Sequence, residues 1–299
     1  MRETLRALPG TVWLLGVISL LNDSASELVY PLLPLYLATV LGAGPRALGL
    51  IEGAAEAAAA LLKLVSGVWY DRVRRAKVFI VAGYGFAALS RPLIALVASW
   101  PMLLALRVFD RLGKGLRSSP RDALLARSVH PSKRGAAFGV HRAFDNAGAV
   151  IGPLLAAALL AMNVALRDIL LWAALPGALC VALALSLKEP DDGVAVNPAV
   201  PDWTWRGLSK SFQRMLAAIA IFTLGQASNA FVILRAHELG MPAAQSALLW
   251  AVVAATSTLL AVPLSAHSDR VGRVPMLTIG WTLHAVLFVG LGWIGDAGL

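Results

Sequence analysis

GVWYDRVRR, Gly67 to Arg75, returns in degraded form as SAHSDRVGR, Ser265 to Arg273, and each copy closes a long apolar run. The Asp-Arg pairs begin at Asp71 and Asp269, 198 residues apart, about the length of six membrane-spanning helices with their loops. The apolar runs and this spacing together imply two related helical halves that return to the same side of a membrane.

The composition points the same way. Hydrophobic residues make up 58% of the 299-residue chain, charged residues only 14%, and the mean hydropathy is +0.72, a balance foreign to a water-soluble domain. The net charge of +9 comes from basic residues spread through short loops, which fits a membrane surface and not nucleic acid. With Cys180 as its single cysteine the chain forms no intrachain disulfide, and no Cys/His cluster offers a metal site. The start, MRETLRALPGTVWLLG, has the flavour of a signal peptide, but its apolar run continues past Asp23 to about Leu41 without a small-residue cleavage site. It is read as a retained first helix.

Nine apolar segments follow: Thr11–Val40, Leu48–Tyr70, Val78–Ser99, Met102–Leu125, Ala136–Met162, Ile169–Leu187, Phe212–Leu234, Ala243–Ser265 and Met276–Ile294. Each reaches the ~20 residues that a hydrocarbon core requires, and Ala/Leu richness without period-two alternation favours helices over a barrel. The expected fold is an all-α, polytopic helical bundle of about nine spans. A six-helix half over residues 1–188, a linker over 189–210 and a three-helix partial half over 211–299 are the expected domains. Lys and Arg fix the orientation. Arg2 and Arg6 precede the first segment; Arg72, Arg74, Arg75 and Lys77 follow the second; Arg127, Lys133 and Arg134 follow the fourth; Lys188, Arg206, Lys210 and Arg214 follow the sixth; Arg270 and Arg273 follow the eighth. The opposite side has mainly Arg46, Arg167 and Arg235, so the amino terminus and linker are expected in the cytoplasm and the chain in the cell (inner) membrane.

These residues resemble the major facilitator superfamily of secondary transporters, over essentially the whole chain. The family's loop pattern, Gly-x-x-x-Asp-Arg-x-Gly-Arg-Arg/Lys, is matched by Gly67, Asp71, Arg72 and Arg75, with Arg74 at the usual second Gly and Ala76 at a basic position. In the second copy Asp269, Arg270, Gly272 and Arg273 match and Ser265 replaces the first Gly. Gly148, Gly152 and Pro153 resemble the antiporter motif, although Ala156 and Ala157 stand where a Gly pair is typical. Arg107 with Gly113 and Gly115 is similar to the family's Arg motif, with Asp110 and Arg111 in place of the usual amide and Gly. NDSASELVYPLLPLYL, DRLGKGLRSSPRDALLA and LRAHELG look like a mostly uncharacterised microbial branch. The resemblance implies two six-helix halves, so nine helices leave the second half three short. The expectation is a truncated chain, or one completed by oligomerisation or by a separate polypeptide.

Physical chemistry assigns the loop motif a part of its own. Gly67 is expected to admit a neighbouring helix closely, Asp71 to accept hydrogen bonds at a helix end or pair with an Arg, and the basic residues to hold the loop at the anionic leaflet. Duplication at equivalent places favours a conformational latch, made in one state and broken in another, over a device for topology alone.

The coupling candidates lie inside the membrane. Asp23 and Glu27, and Glu52 and Glu56, are four apart, so each pair shares a helix face. Glu56 falls about 15 Å below the Arg46 end, near the mid-membrane. Arg91, Arg107, Arg111 and Arg142 oppose them, with Asp110 and Asp145 alongside. Ionisable groups at this depth are costly and line cavities or pair. The six carboxylates are proton-coupling candidates, with Asp23, Glu27 and Glu56 foremost. The four arginines, together with Gln226 and Asn229 of a polar patch that includes Ser228, are substrate-binding candidates. An alternative stays open: Arg107 with Asp110 and Arg142 with Asp145, at i,i+3 spacing, form a structural network, and Gln226 and Asn229 hold helices together. Lys63, Lys114 and Arg117 are read as snorkelling or loop-anchoring cations, and most Trp residues as interfacial anchors or core. Pro31, Pro34 and the Gly148–Pro153 motif are expected to bend or closely pack their helices.

The expected function is proton-coupled export of small organic molecules by alternating access. Alternatives are uptake of an anionic metabolite by the Arg cluster, and a non-transporting scaffold or sensor. No catalytic constellation, phosphate-binding loop or cofactor motif is present, so the partners are a small-molecule substrate, protons and the lipid bilayer.

Overall fold

Over the described residues each of the nine apolar segments is largely helical in the structure, a computed structural model that describes residues 8–189 and 207–293. The first span comprises α1 (Gly10–Val29) and α2 (Leu32–Thr39), parted at Tyr30–Pro31, where the expected proline break occurs. Then come α3 (Pro45–Val73), α4 (Ala76–Leu93), α5 (Trp100–Arg127) and α6 (Arg134–Ala161), the last running on through Pro153. The sixth span is α7 (Leu166–Trp172) with α8 (Ala174–Leu185), the seventh α9 (Lys210–Gly225) with α10 (Ala230–Glu238), followed by α11 (Ala243–Val271) and α12 (Arg273–Trp293). There is no strand among the described residues. The expected linker falls mostly on residues 190–206, outside them.

Six of these helical runs are long and apolar enough to cross a membrane on length and composition alone: Gly10–Thr39, Ala76–Leu96, Pro131–Ala161, Leu166–Leu185, Lys210–Glu238 and Ala243–Leu260. Helices α3 and α5 have the length but too many charges, because they carry Glu52, Glu56 and Lys63, and Arg107, Asp110, Arg111, Lys114 and Arg117. Leu61, Leu64, Leu89, Leu96, Leu224, Leu259 and Leu287 all point outward and exposed. Such an exterior suits hydrocarbon, and the protein is a multi-pass membrane protein.

Helix α5 lies between α3 and α4 at distances set by glycine. A Cβ on Gly113 would sit 2.5 Å from the Gly83 carbonyl oxygen, and one on Gly115 2.6 Å from that of Ala59. Ser66 and Ser119 use the closeness, donating to the carbonyls of Gly115 (2.9 Å) and Lys63 (3.1 Å). Helix α6 meets α1 the same way: Cβ atoms on Gly148 and Gly152 would lie 2.6 Å from the carbonyl oxygens of Leu20 and Ser24. The Gly-x-x-x-Gly motif is a backbone-to-backbone seam. Gly67 corrects the sequence expectation, since its Cβ would meet only Ser119, at an ordinary 3.6 Å. Gly152→Ala should therefore cost about 1–3 kcal/mol by overpacking, read as a lower melting temperature in detergent, whereas Gly67→Ala should change it little.

Repetition of the Asp-Arg loops extends to the backbone. Arg74 closes α3 with φ 56°, and Gly272, 198 residues on, separates α11 from α12 with φ 100°. A left-handed turn explains why glycine is usual there; Arg74 adopts it while its Nε donates to the Asp71 carbonyl at 3.1 Å.

Two apolar clusters fill the interior. One gathers Leu28, Tyr36, Leu48, Ile94 and Ile169 together with Ala230, Leu234 and Ala247 of the second half. The other, at the opposite end, takes Leu15, Tyr70, Ile80, Leu124 and Leu187, and its described members all belong to the first half. The halves are thus joined at the Arg46 end.

Candidate functional site

Charged residues on α3 and α5 repeat every four positions, and the two helices run in parallel, so their charges meet rung by rung. Arg107 Nη2 lies 2.7 Å from Glu52 Oε1, and Arg111 Nε lies 3.1 Å from Glu56 Oε1. Asp110, nearly without exposure, gathers the arginines: Arg91 Nε at 3.0 Å, Arg107 Nη1 at 3.5 Å and Arg111 Nη1 at 3.9 Å. Arg91 also donates to the Asn22 carbonyl at 2.9 Å, which ties α4 to α1. The Arg107–Asp110 pair of the structural alternative exists, but inside a network spanning three helices. Its depth differs by rung: Glu52 is buried, whereas the Glu56 side chain is 56% exposed.

The network crosses into the second half. Ser228, at the break between α9 and α10, donates to Glu52 Oε2 at 3.4 Å and lies 3.4 Å from the Tyr30 hydroxyl. Tyr30 in turn packs its ring against Trp250 of α11, centroids 4.9 Å apart, and Trp250 Nε1 donates to Glu27 Oε2 at 2.8 Å. Asp23 accepts from the Asn22 amide at 2.7 Å. Neither Asp23 nor Glu27 has a cation at ion-pairing distance among the described residues.

Of the remaining candidates, Asp145 sits apart, bonded by Ser19, with His141 Nδ1 at 3.7 Å and Arg142 Nη1 at 3.6 Å. The Arg142 side chain is 76% exposed and takes no part in the α3–α5 network, so the local i,i+3 pairing describes it. Gln226 and Asn229 are exposed as well, and the residue of that patch which touches the network is Ser228. Lys63 and Lys114 are exposed, as snorkelling requires. Arg117 is not: it is buried, with its guanidinium 4.5 Å over the Tyr84 ring and Nη1 donating to the Gly83 carbonyl at 3.3 Å. Position 117 continues the stripe of Arg107, Asp110, Arg111 and Lys114 at spacings of three and four, which was the available signal. Asp71, Arg72 and Arg75 are exposed, without an ion pair among the described residues; the side chains of Asp269, Arg270 and Arg273 lie outside that set. No group of three or more His, Cys, Asp or Glu among the described residues is arranged for a metal.

A groove of about 690 Å³ lies away from this network, between α4 and α8. Gly85, Ala88, Leu89, Ala178 and Val181 line it, leaving nothing to hold a polar solute. The site with chemistry is the inter-half one.

Residues 12–299 match the family model described as Major Facilitator Superfamily. An uncharacterised MFS-type transporter of Methanocaldococcus jannaschii is 33% identical, the match covering 97% of this chain and 74% of that protein. The multidrug resistance protein MdtH of Photorhabdus laumondii is 27% identical over 90% of this chain and 67% of its own. Among solved structures, a mutant of the nucleoside transporter NupG superposes with TM-score 0.74 at 16% identity, covering 88% of this chain and 69% of that one. A bacterial homologue of the lysosomal transporter Spinster gives 0.64 at 18% identity; this chain spans 62% of its length.

Proposed function

Since the chain belongs to the major facilitator superfamily of secondary transporters, we propose that it moves a small organic molecule by alternating access, coupled to protons and in the direction of export. One observation carries the reading: Glu52, paired with Arg107 in the first half, also accepts from Ser228 in the second. A buried ion pair shared between two bodies changes its surroundings whenever they separate, which is the requirement for charge movement to drive a conformational cycle. Asp23 and Glu27, held only by neutral donors, are the proton carriers in this reading, and the arginine-bound carboxylates are the framework beside them. The partial antiporter motif and the likeness to a multidrug resistance protein support export. Pairing of Arg91, Arg107 and Arg111 to carboxylates weighs against uptake of an anion, because no buried guanidinium of that set is left to receive one.

The basic loops support an amino terminus in the cytoplasm of an inner-membrane protein, with 1–188 and 211–299 as the two halves around the 189–210 linker. In that frame the halves touch at the outer end, and the exposed Asp71 loop is a latch in its open state. The test is a proteoliposome holding the purified chain and a preset pH gradient, challenged with a panel of drugs, sugars, amino acids and organic anions. Collapse of the gradient by a selective subset is the expected result. Binding of a compound without any proton or solute flux would instead indicate a scaffold or sensor.

A further inference from the structure

A second set of ionisable side chains lies on the α1–α6 seam, between Asp23 and the end at which both helices begin. The two backbones run in parallel and in contact: a Cβ on Gly148 would lie 3.0 Å from the Asp23 Cβ, and one on Gly16 3.0 Å from the Phe144 ring. Ser19 and Asp145 therefore stand about one turn back along the same seam, and the Ser19 hydroxyl donates to Asp145. One turn further back on α6, His141 sets Nδ1 3.7 Å from Asp145 Oδ2, which the exposed Arg142 also approaches to 3.6 Å. His141 is buried, and its Nε2 has no hydrogen-bonding partner among the described residues. Seven residues, about 10 Å, separate it from Arg134 at the head of α6.

The other charges around His141 are few. Arg121 and Asp122 face it from α5, paired with each other at 3.0 Å. Helix α1 contributes only Asp23 and Glu27, and α11, which also packs on α6, has no ionisable residue between Ala243 and Leu260. A histidine kept for structure alone uses both ring nitrogens when buried; this one engages a carboxylate with one and leaves the other open. Imidazole also titrates nearest neutrality and can take a proton at one nitrogen and release it from the other.

We propose that Asp145 and His141 relay protons between Asp23 and the cytoplasmic side of the membrane along the α1–α6 seam. This rests on the proton-coupled reading above and assigns its cytoplasmic route. In the release direction the Asp23 carboxyl gives its proton to the Ser19 hydroxyl, which passes its own to the Asp145 carboxylate. Asp145 hands that proton to His141 Nδ1, the imidazolium loses its Nε2 proton to water, and rotation of the ring restores the starting tautomer. Uptake runs through the same groups in reverse.

Two measurements test the relay. The first is nuclear magnetic resonance of the purified chain in detergent with nitrogen-15 histidine. The His141 ring signals, identified by their loss in His141→Gln, should titrate between about pH 5 and 9 and show exchange between the two neutral tautomers. Their midpoint should move by at least about half a pH unit in Asp145→Asn. An imidazole fixed in one protonation state and one tautomer, or one whose titration ignores Asp145, would overturn the relay whether or not the chain transports. The second is flux of a labelled solute from the responsive subset in proteoliposomes. His141→Gln should slow gradient-driven movement at least fivefold and leave exchange at equal pH intact. Asp145→Glu, which still carries a proton, should recover most of the rate lost in Asp145→Asn, and this pair decides the matter if His141→Gln does not fold. Unchanged gradient-driven rates in His141→Gln and Asp145→Asn, beside a loss in Asp23→Asn, would overturn the relay and leave proton-coupled transport standing. Coupled titration of His141 and Asp145 without proton-linked flux would leave the route standing and remove the transport it serves.

Discussion

Arg107→Ala should lose about 3–5 kcal/mol of stability, the usual cost of stranding a buried carboxylate by removing its cation. The loss falls on two partners at once: Glu52 at 2.7 Å and Asp110 at 3.5 Å, both buried. Asp110 keeps Arg91 and Arg111, but Glu52 is left with the Ser228 hydroxyl. A steep fall in folded yield and detergent melting temperature is the expected measurement. The double variant Arg107→Gln with Glu52→Gln should regain most of that stability, since two neutral amides can bond each other, yet remain inactive because the charge shared with the second half is gone. Glu56→Gln is the contrasting case. Its side chain is half exposed, so losing the Arg111 contact should cost no more than about 1 kcal/mol. Equal stability of Arg107→Ala and the wild type would show that the α3–α5 rungs do not carry the fold.

Asp23→Asn should reduce pH-driven solute movement at least tenfold while leaving folding and solute exchange at equal pH in place. An amide occupies the same space and keeps a partner for the Asn22 amide, which donates at 2.7 Å, so the packing of α1 against α6 is undisturbed. It cannot take up and release a proton. The measurement compares gradient-driven and exchange rates in the same vesicles. An unchanged gradient-driven rate would remove Asp23 from the proton path, and loss of both rates would make its role structural.

The helical spans were legible because apolar runs of membrane length are set by hydrocarbon thickness, and the Asp-Arg repeat was legible because the same left-handed turn recurs at Arg74 and Gly272. Glu52 and Glu56 were recognisable as one face of a helix, but not their pairing with Arg107 and Arg111. That register depends on how closely Gly113 and Gly115 let three helices approach, a property of packing and not of either sequence alone. The seventh span reads as one continuous helix in sequence. Its break at residues 226–229 turns Ser228 toward Glu52 and leaves Gln226 and Asn229 outside. Trp250 and Arg117 were missed for a different reason. Tryptophan and arginine near a membrane boundary ordinarily anchor there, and only the three-dimensional neighbours reveal that Trp250 holds Glu27 and that Arg117 lies over Tyr84.

The central claim, that carboxylates in the inter-half site link proton movement to solute movement, is tested most directly by recording both fluxes at once in proteoliposomes, with an interior pH dye and a labelled solute from the responsive subset. The account predicts opposite fluxes in a fixed ratio that holds across gradient sizes and disappears in Asp23→Asn. Solute movement at full rate with no accompanying proton flux would contradict it.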